Sequence, residues 1–95
     1  MIESEVEGYL VKRVNELGGW TCKFKSDTRG VPDRVVIFPK SGVTFIELKR
    51  PGEKPRPQQY FRMDQIRVSG GRVYWTDTKE GVDKILAVLE KGVPV

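Results

Sequence analysis

Three charged residues stand where an apolar core should form. In "GVPDRVVIFPKSGVTFIELKRPG" (30–52), Asp33 opens one run of strand-forming residues, and Glu47 and Lys49 lie within the next. Residues two apart on a strand share a face, so Phe45, Glu47 and Lys49 point one way and Thr44, Ile46 and Leu48 the other. The intervening "PKSG" is turn chemistry, and a link this short makes the two runs an antiparallel hairpin. Folding that hairpin brings Asp33 opposite residues 47 to 49, where cross-strand neighbours sit roughly 5 Å apart. Two carboxylates on one face, with a backbone carbonyl such as that of Leu48, suit a hard divalent cation that keeps several of its waters. Lys49 then stands beside that cation. A cross-strand ion pair accounts for any one of these charges alone. It does not also account for Glu47 between Ile46 and Leu48, because unpaired buried charge is costly.

Composition narrows the chemistry further. The chain has 95 residues, one cysteine (Cys22) and no histidine. That excludes zinc fingers, zincins and Ser-His-Asp or Cys-His catalysis, and leaves oxygen ligands for any metal, which favours magnesium, manganese or calcium. The length predicts a single domain, 1–95, and the mean hydropathy of −0.43 fits a soluble one. No apolar run is long enough to span a membrane, and the acidic N-terminus is unlike a signal peptide. With the lone cysteine, this predicts a reducing cytoplasm. The net charge of +4 is uneven: residues 49–72 carry seven Lys/Arg against two Asp/Glu. Such a basic tract is the footprint expected beside a polyanion, although a solvated loop and helix face would carry it too.

The elements that must position these groups follow from periodicity. Val6, Leu10, Val14 and Leu17 predict a helix over 4–17, with Ser4 as its cap and Gly18-Gly19 as its end. "WTCKFK" (20–25), "DRVVIF" (33–38), "VTFIELK" (43–49) and "RVYWT" (72–76) read as strands. "RPGEKPRP" (50–57) reads as an irregular basic loop whose last proline opens a helix running to about Ser69. Asp77 is placed to cap a last helix bearing Val82, Ile85, Leu86 and Leu89, closed by Gly92 and Pro94. The order is α-β-β-β-α-β-α. Trp20, Tyr74 and Trp75 are expected in the core or at an interface.

"VPD" followed by "ELK", with Glu47 fourteen residues after Asp33, resembles the PD-(D/E)xK nuclease signature. With the helix before it, "FIELKRPG" and the glutamine at the next helix start, the chain resembles the VRR-NUC (virus-type replication–repair nuclease) branch over about residues 3 to 90. The resemblance implies a compact restriction-endonuclease-like α/β fold with a central mixed sheet flanked by helices. It implies that Asp33 and Glu47 are metal ligands and Lys49 the catalytic lysine. It also implies a glutamate from the first helix. Glu7 fits best, with Glu3 second, although Ser4-x-x-Glu7 is equally a capping box. Of the two candidate glutamines, Gln59 shares a face with Met63 and Ile66 and should look inward, whereas Gln58 should look outward.

The function this implies is a Mg²⁺- or Mn²⁺-dependent DNA endonuclease acting on branched, flapped or junction DNA, Holliday junctions among them, in phage or mobile-element replication and repair. Two symmetric cuts need two sites, which suggests a homodimer. Arg50, Lys54, Arg56 and Arg62 are the expected DNA-backbone contacts, and Arg34 is read as a surface or phosphate contact. The alternative is a DNA-binding module that keeps the fold and has lost cleavage.

Overall fold

Val6, Leu10 and Val14 recur at helical spacing, and the helix they form, α1 (Glu3–Glu16), buries all three completely. In the computed structural model, which describes the backbone of residues 3–92 and the side chains of residues 5–92, six further elements follow. They are β1 (Trp20–Lys23), β2 (Arg34–Phe38), β3 (Gly42–Leu48), α2 (Pro57–Val68), β4 (Arg72–Thr76) and α3 (Lys79–Glu90). The order is the expected one, and the class is α/β.

The strands lie in the order β1-β2-β3-β4. β1 and β2 pair antiparallel, as do β2 and β3, while β4 runs parallel to β3. A parallel return needs a crossover, and α2 supplies it. Alternation then divides the sheet. Val36, Phe38, Ile46 and Leu48 face α1 and α3, where they join Leu10, Leu86 and Leu89 in the main core. Val35, Phe45, Glu47 and Val73 take the other face, which α2 covers with Met63. α1 and α3 are also tied by a 2.7 Å hydrogen bond from Tyr9 Oη to Asp83, which raises the Tyr9 phenol pKa.

Several boundaries differ from expectation. β1 stops at Lys23, yet the Phe24 N–H still donates to the Asp33 carbonyl at 2.7 Å. β2 begins at Arg34, so Asp33 lies just outside the strand it was expected to open. α1 begins at Glu3, ahead of Ser4, whose side chain lies outside the described residues. α3 is capped by Thr78, whose hydroxyl accepts from Gly81 N–H at 2.9 Å. Asp77 instead accepts from Gly52 N–H at 2.8 Å and so anchors the basic loop. Trp20 is not core: it sits 55 % exposed on the edge strand, while Tyr74 packs against the core as expected. Pro94, expected beyond the last helix, lies outside the described residues.

Gly30 fixes how the loop before Asp33 meets α2. Its φ is +84°, and an added Cβ would lie 2.6 Å from the Gln58 carbonyl oxygen. Only glycine combines that backbone conformation with that approach. Gly30→Ala is expected to destabilise the fold by about 1–3 kcal/mol, read as a lower urea midpoint at unchanged slope.

Candidate active site

Glu47 is the organising group. It lies in β3, 6 % exposed, between the buried Ile46 and Leu48. A carboxylate so placed needs partners. Lys49, two residues on and therefore on the same face, brings Nζ to 3.4 Å from Glu47 Oε2. Gln59 Nε2 donates to that same oxygen at 2.9 Å.

The orientation of Gln59 follows from how α2 starts. Pro57 opens the helix, and the preceding Arg56 has no side-chain acceptor to cap the free N–H groups. Gln59, at the third helical position, reaches back, and its Oε1 accepts from the Arg56 N–H at 2.8 Å. With the amide oxygen so engaged, the nitrogen points at Glu47. Half of a capping box thus holds the site. Gln59 is 8 % exposed and looks inward with Met63, and Gln58 is exposed, as their spacing indicates.

Asp33 is placed by register. Arg34 pairs with Ile46, so one step further sets Asp33 opposite Glu47. Its side chain is exposed at the end of the sheet. The Leu48 carbonyl is placed by the planarity of its peptide. The Lys49 N–H donates to the Thr76 carbonyl of β4 at 2.9 Å, and every described peptide is trans. The Leu48 C=O therefore points the opposite way, toward β2. There the register continues to Pro32, a buried residue with no N–H to donate. The proline of "VPD" leaves that carbonyl without the ladder donor any other residue would supply.

Lys49 and Gln59 thus meet Glu47 on the α2 face at one end of the hairpin, with Asp33 opposite in register and the Leu48 carbonyl turned toward the strand that Asp33 precedes. The metal-ligating donors among them are all oxygen. Among the described residues no three His, Cys, Asp or Glu side chains gather to hold a metal. Two carboxylates and a carbonyl fit a hard cation that takes its remaining ligands from water and substrate, as magnesium does.

Glu7 is not brought to this group. α1 packs on the opposite face, and Glu7 Oε2 accepts from Arg34 Nη2 at 3.0 Å and Nε at 3.1 Å. Arg34 also donates to Thr21 Oγ1 at 3.0 Å and is 7 % exposed. The expectation that Arg34 is a surface or phosphate contact is therefore corrected. Alternation puts its side chain under α1, where a buried guanidinium requires an acid.

The basic residues divide. Arg50, Lys54 and Arg56 are exposed on the loop before α2, with Arg50 Nε 3.9 Å from Glu53. Arg62 is half-buried, donating to the Arg29 carbonyl at 3.2 Å and to Gln65 Oε1 at 2.8 Å. Arg29, which carries no sequence signal beyond its charge, joins Arg56 around a recess of about 290 Å³ at the start of α2.

Residues 5–80 match the model of the VRR-NUC domain. The chain is 39 % identical over 79 residues to "Putative nuclease p44" of Acyrthosiphon pisum secondary endosymbiont phage 1, a match spanning 82 % of this chain and 85 % of the phage protein. A solved structure described as "VRR_NUC domain" superposes with a TM-score of 0.81 at 31 % identity, covering 92 % of this chain and 96 % of its own. A second, "VRR_NUC domain protein", gives a TM-score of 0.74 over 99 % of this chain and 93 % of its own; at 14 % identity it shows the shared fold alone.

Gln59→Leu tests the central hydrogen bond. It strips a donor from the buried Glu47 and the acceptor from Arg56 N–H, so a loss of about 1–3 kcal/mol is expected in urea unfolding. Gln58→Leu, on the exposed side, should change stability by less than about 0.5 kcal/mol.

Proposed function

Because the chain belongs to the VRR-NUC domain family, we propose that it is a divalent-metal-dependent DNA endonuclease that hydrolyses phosphodiester bonds in branched DNA. The observation carrying this reading is the convergence of Lys49 and Gln59 on Glu47, with Asp33 opposite in register. Asp33, Glu47 and the Leu48 carbonyl would hold Mg²⁺ or Mn²⁺. Bound there, the cation supplies Lewis acidity and a water of lowered pKa.

The chain's own groups do the rest. Lys49, held against Glu47 and only 12 % exposed in its side chain, keeps a cation beside the scissile phosphate. There it neutralises charge that builds on the phosphoryl oxygens, or orients the attacking water. Gln59 fixes the rotamer of Glu47, so the carboxylate need not reorganise as charge develops. Glu7 would reach such a metal only by giving up Arg34. Arg29, Arg50, Lys54 and Arg56 lie on the approach to this end of the sheet and grip phosphates, which selects DNA shape over sequence. A homodimer would supply the second active site that paired cuts across a junction require.

No helix among the described residues is long and apolar enough to cross a membrane, and the similar nuclease comes from a phage. The phage origin of that relative supports action in the cytoplasm of a phage-infected or bacterial host.

The decisive experiment is a cleavage panel of linear, flapped and four-way-junction DNA with manganese. Asp33→Ala should abolish cutting while DNA affinity stays within about twofold. Lys49→Ala should lower turnover by roughly 10²–10³-fold, the scale for loss of a transition-state donor. Undiminished cutting by either variant would remove the site from consideration.

Arg56→Ala should weaken binding and reduce the slope of log K against log salt by about one unit, since each neutralised phosphate contributes roughly 0.9. An unchanged slope would move the DNA path elsewhere. Arg62→Ala should reduce it less, because that guanidinium is already committed to Arg29 and Gln65.

A further inference from the structure

We propose that the open concavity between α2 and β1, beside the carboxylates, takes one unstacked nucleobase from the branch point of the DNA. The inference rests on the nuclease reading and specifies what that site selects.

The concavity has a volume of about 590 Å³. That falls within the roughly 300–1,000 Å³ that small-molecule sites occupy. Its apolar wall is Phe24, Phe45 and Ile66; its polar side includes Thr28, Gln65 and Arg62. Phe24 and Phe45 meet edge to face, with centroids 5.3 Å apart and planes at 82°. Such a pair uses one ring face, and Phe24 remains 39 % exposed. Exposed aromatic faces backed by a core are what unpaired bases stack on, and the rim carries donors and acceptors for a base edge.

Position argues for a base of the bound DNA. The Phe24 N–H bonds the Asp33 carbonyl, one step beyond the Lys23–Arg34 pair, so Phe24 and Asp33 are cross-strand neighbours on one face. Phe45 lies two residues before Glu47 on that same face. The concavity therefore opens directly beside the proposed scissile phosphate. Lys25 and Arg29, in the loop that follows β1, are exposed and stand ready for the phosphates of a strand entering it. A paired base cannot leave its stack cheaply, whereas a branch-point base has already lost its partner. The subsite would thus convert an apolar groove into a preference for branched DNA without reading sequence.

The test is a binding cycle with the native chain, free of divalent metal. It uses labelled flapped DNAs that carry either a base or an abasic residue at each of the first three unpaired positions. At one position the abasic residue should weaken binding by native protein about tenfold, the scale of one base–aromatic stack. Phe24→Ala should bind both DNAs with that weaker affinity, and Phe24→Tyr should restore the difference. Losses that simply add between Phe24→Ala and the abasic residue would overturn the subsite and leave the nuclease reading intact. So would a shift from dimer to monomer in sedimentation by Phe24→Ala, which would mean that a second copy of the chain covers the groove. Absence of binding to every DNA would overturn the nuclease reading and the subsite with it.

Discussion

A single oxygen, Oε2 of Glu47, is the point on which this small protein is built. It is buried in a strand that otherwise belongs to the core, and it is met by an ammonium group from its own strand and an amide from the next helix. A buried carboxylate with these partners is tolerable; stripped of one, it becomes a destabilising buried charge. Gln59 can meet Glu47 because α2 begins at Pro57, which puts that amide in the first helical turn. Once Gln59 sits there, Arg56 is its neighbour at the helix start, and Gly30 must pass close under Gln58.

The same economy governs the arginines. Arg34 and Arg56 look alike in a basic sequence, but their surroundings separate them. Arg34 lies under α1 and is held by Glu7 and Thr21, so its charge supports the packing of a helix on the sheet. Arg56 stands at the surface beside Arg29, with its charge directed to solvent. Net charge alone, +4 over the chain, would have counted them equally. Burial decides which of them can meet a phosphate.

Much of this is legible in the sequence. The four-residue turn "PKSG" and the alternation of β3 set Asp33 against residues 47 to 49, because hairpin register is a strict constraint once one face is buried, and the observed register settles on Glu47. The inward turn of Gln59 followed from its spacing to Met63. What was not legible depended on long-range partners. Nothing within the first helix tells that Glu7 will meet an arginine twenty-seven residues away, so its spacing offers only cap or ligand. Asp77 looked like a cap because the amide that claims it, that of Gly52, lies in a distant loop. The strand ends moved by a residue or two because ladder bonds, and not propensity, define them; Asp33 keeps its alignment through Phe24 while standing outside β2. The groove beside Phe24 was invisible because it exists only where α2 covers part of its face of the sheet.

Both terminal helices, α1 and α3, pack on the face of Ile46 and Leu48, while the carboxylates and α2 occupy the reverse side. The groups proposed to bind metal and act on the phosphate, Asp33 to Gln59, fall in a contiguous span with scaffold on either flank. A module grafted after α3 would leave beside Phe38 and Lys40, at the opposite end of the sheet from Glu47. The layout is that of a detachable cutting head, able to be carried by larger assemblies without redesign of its working edge.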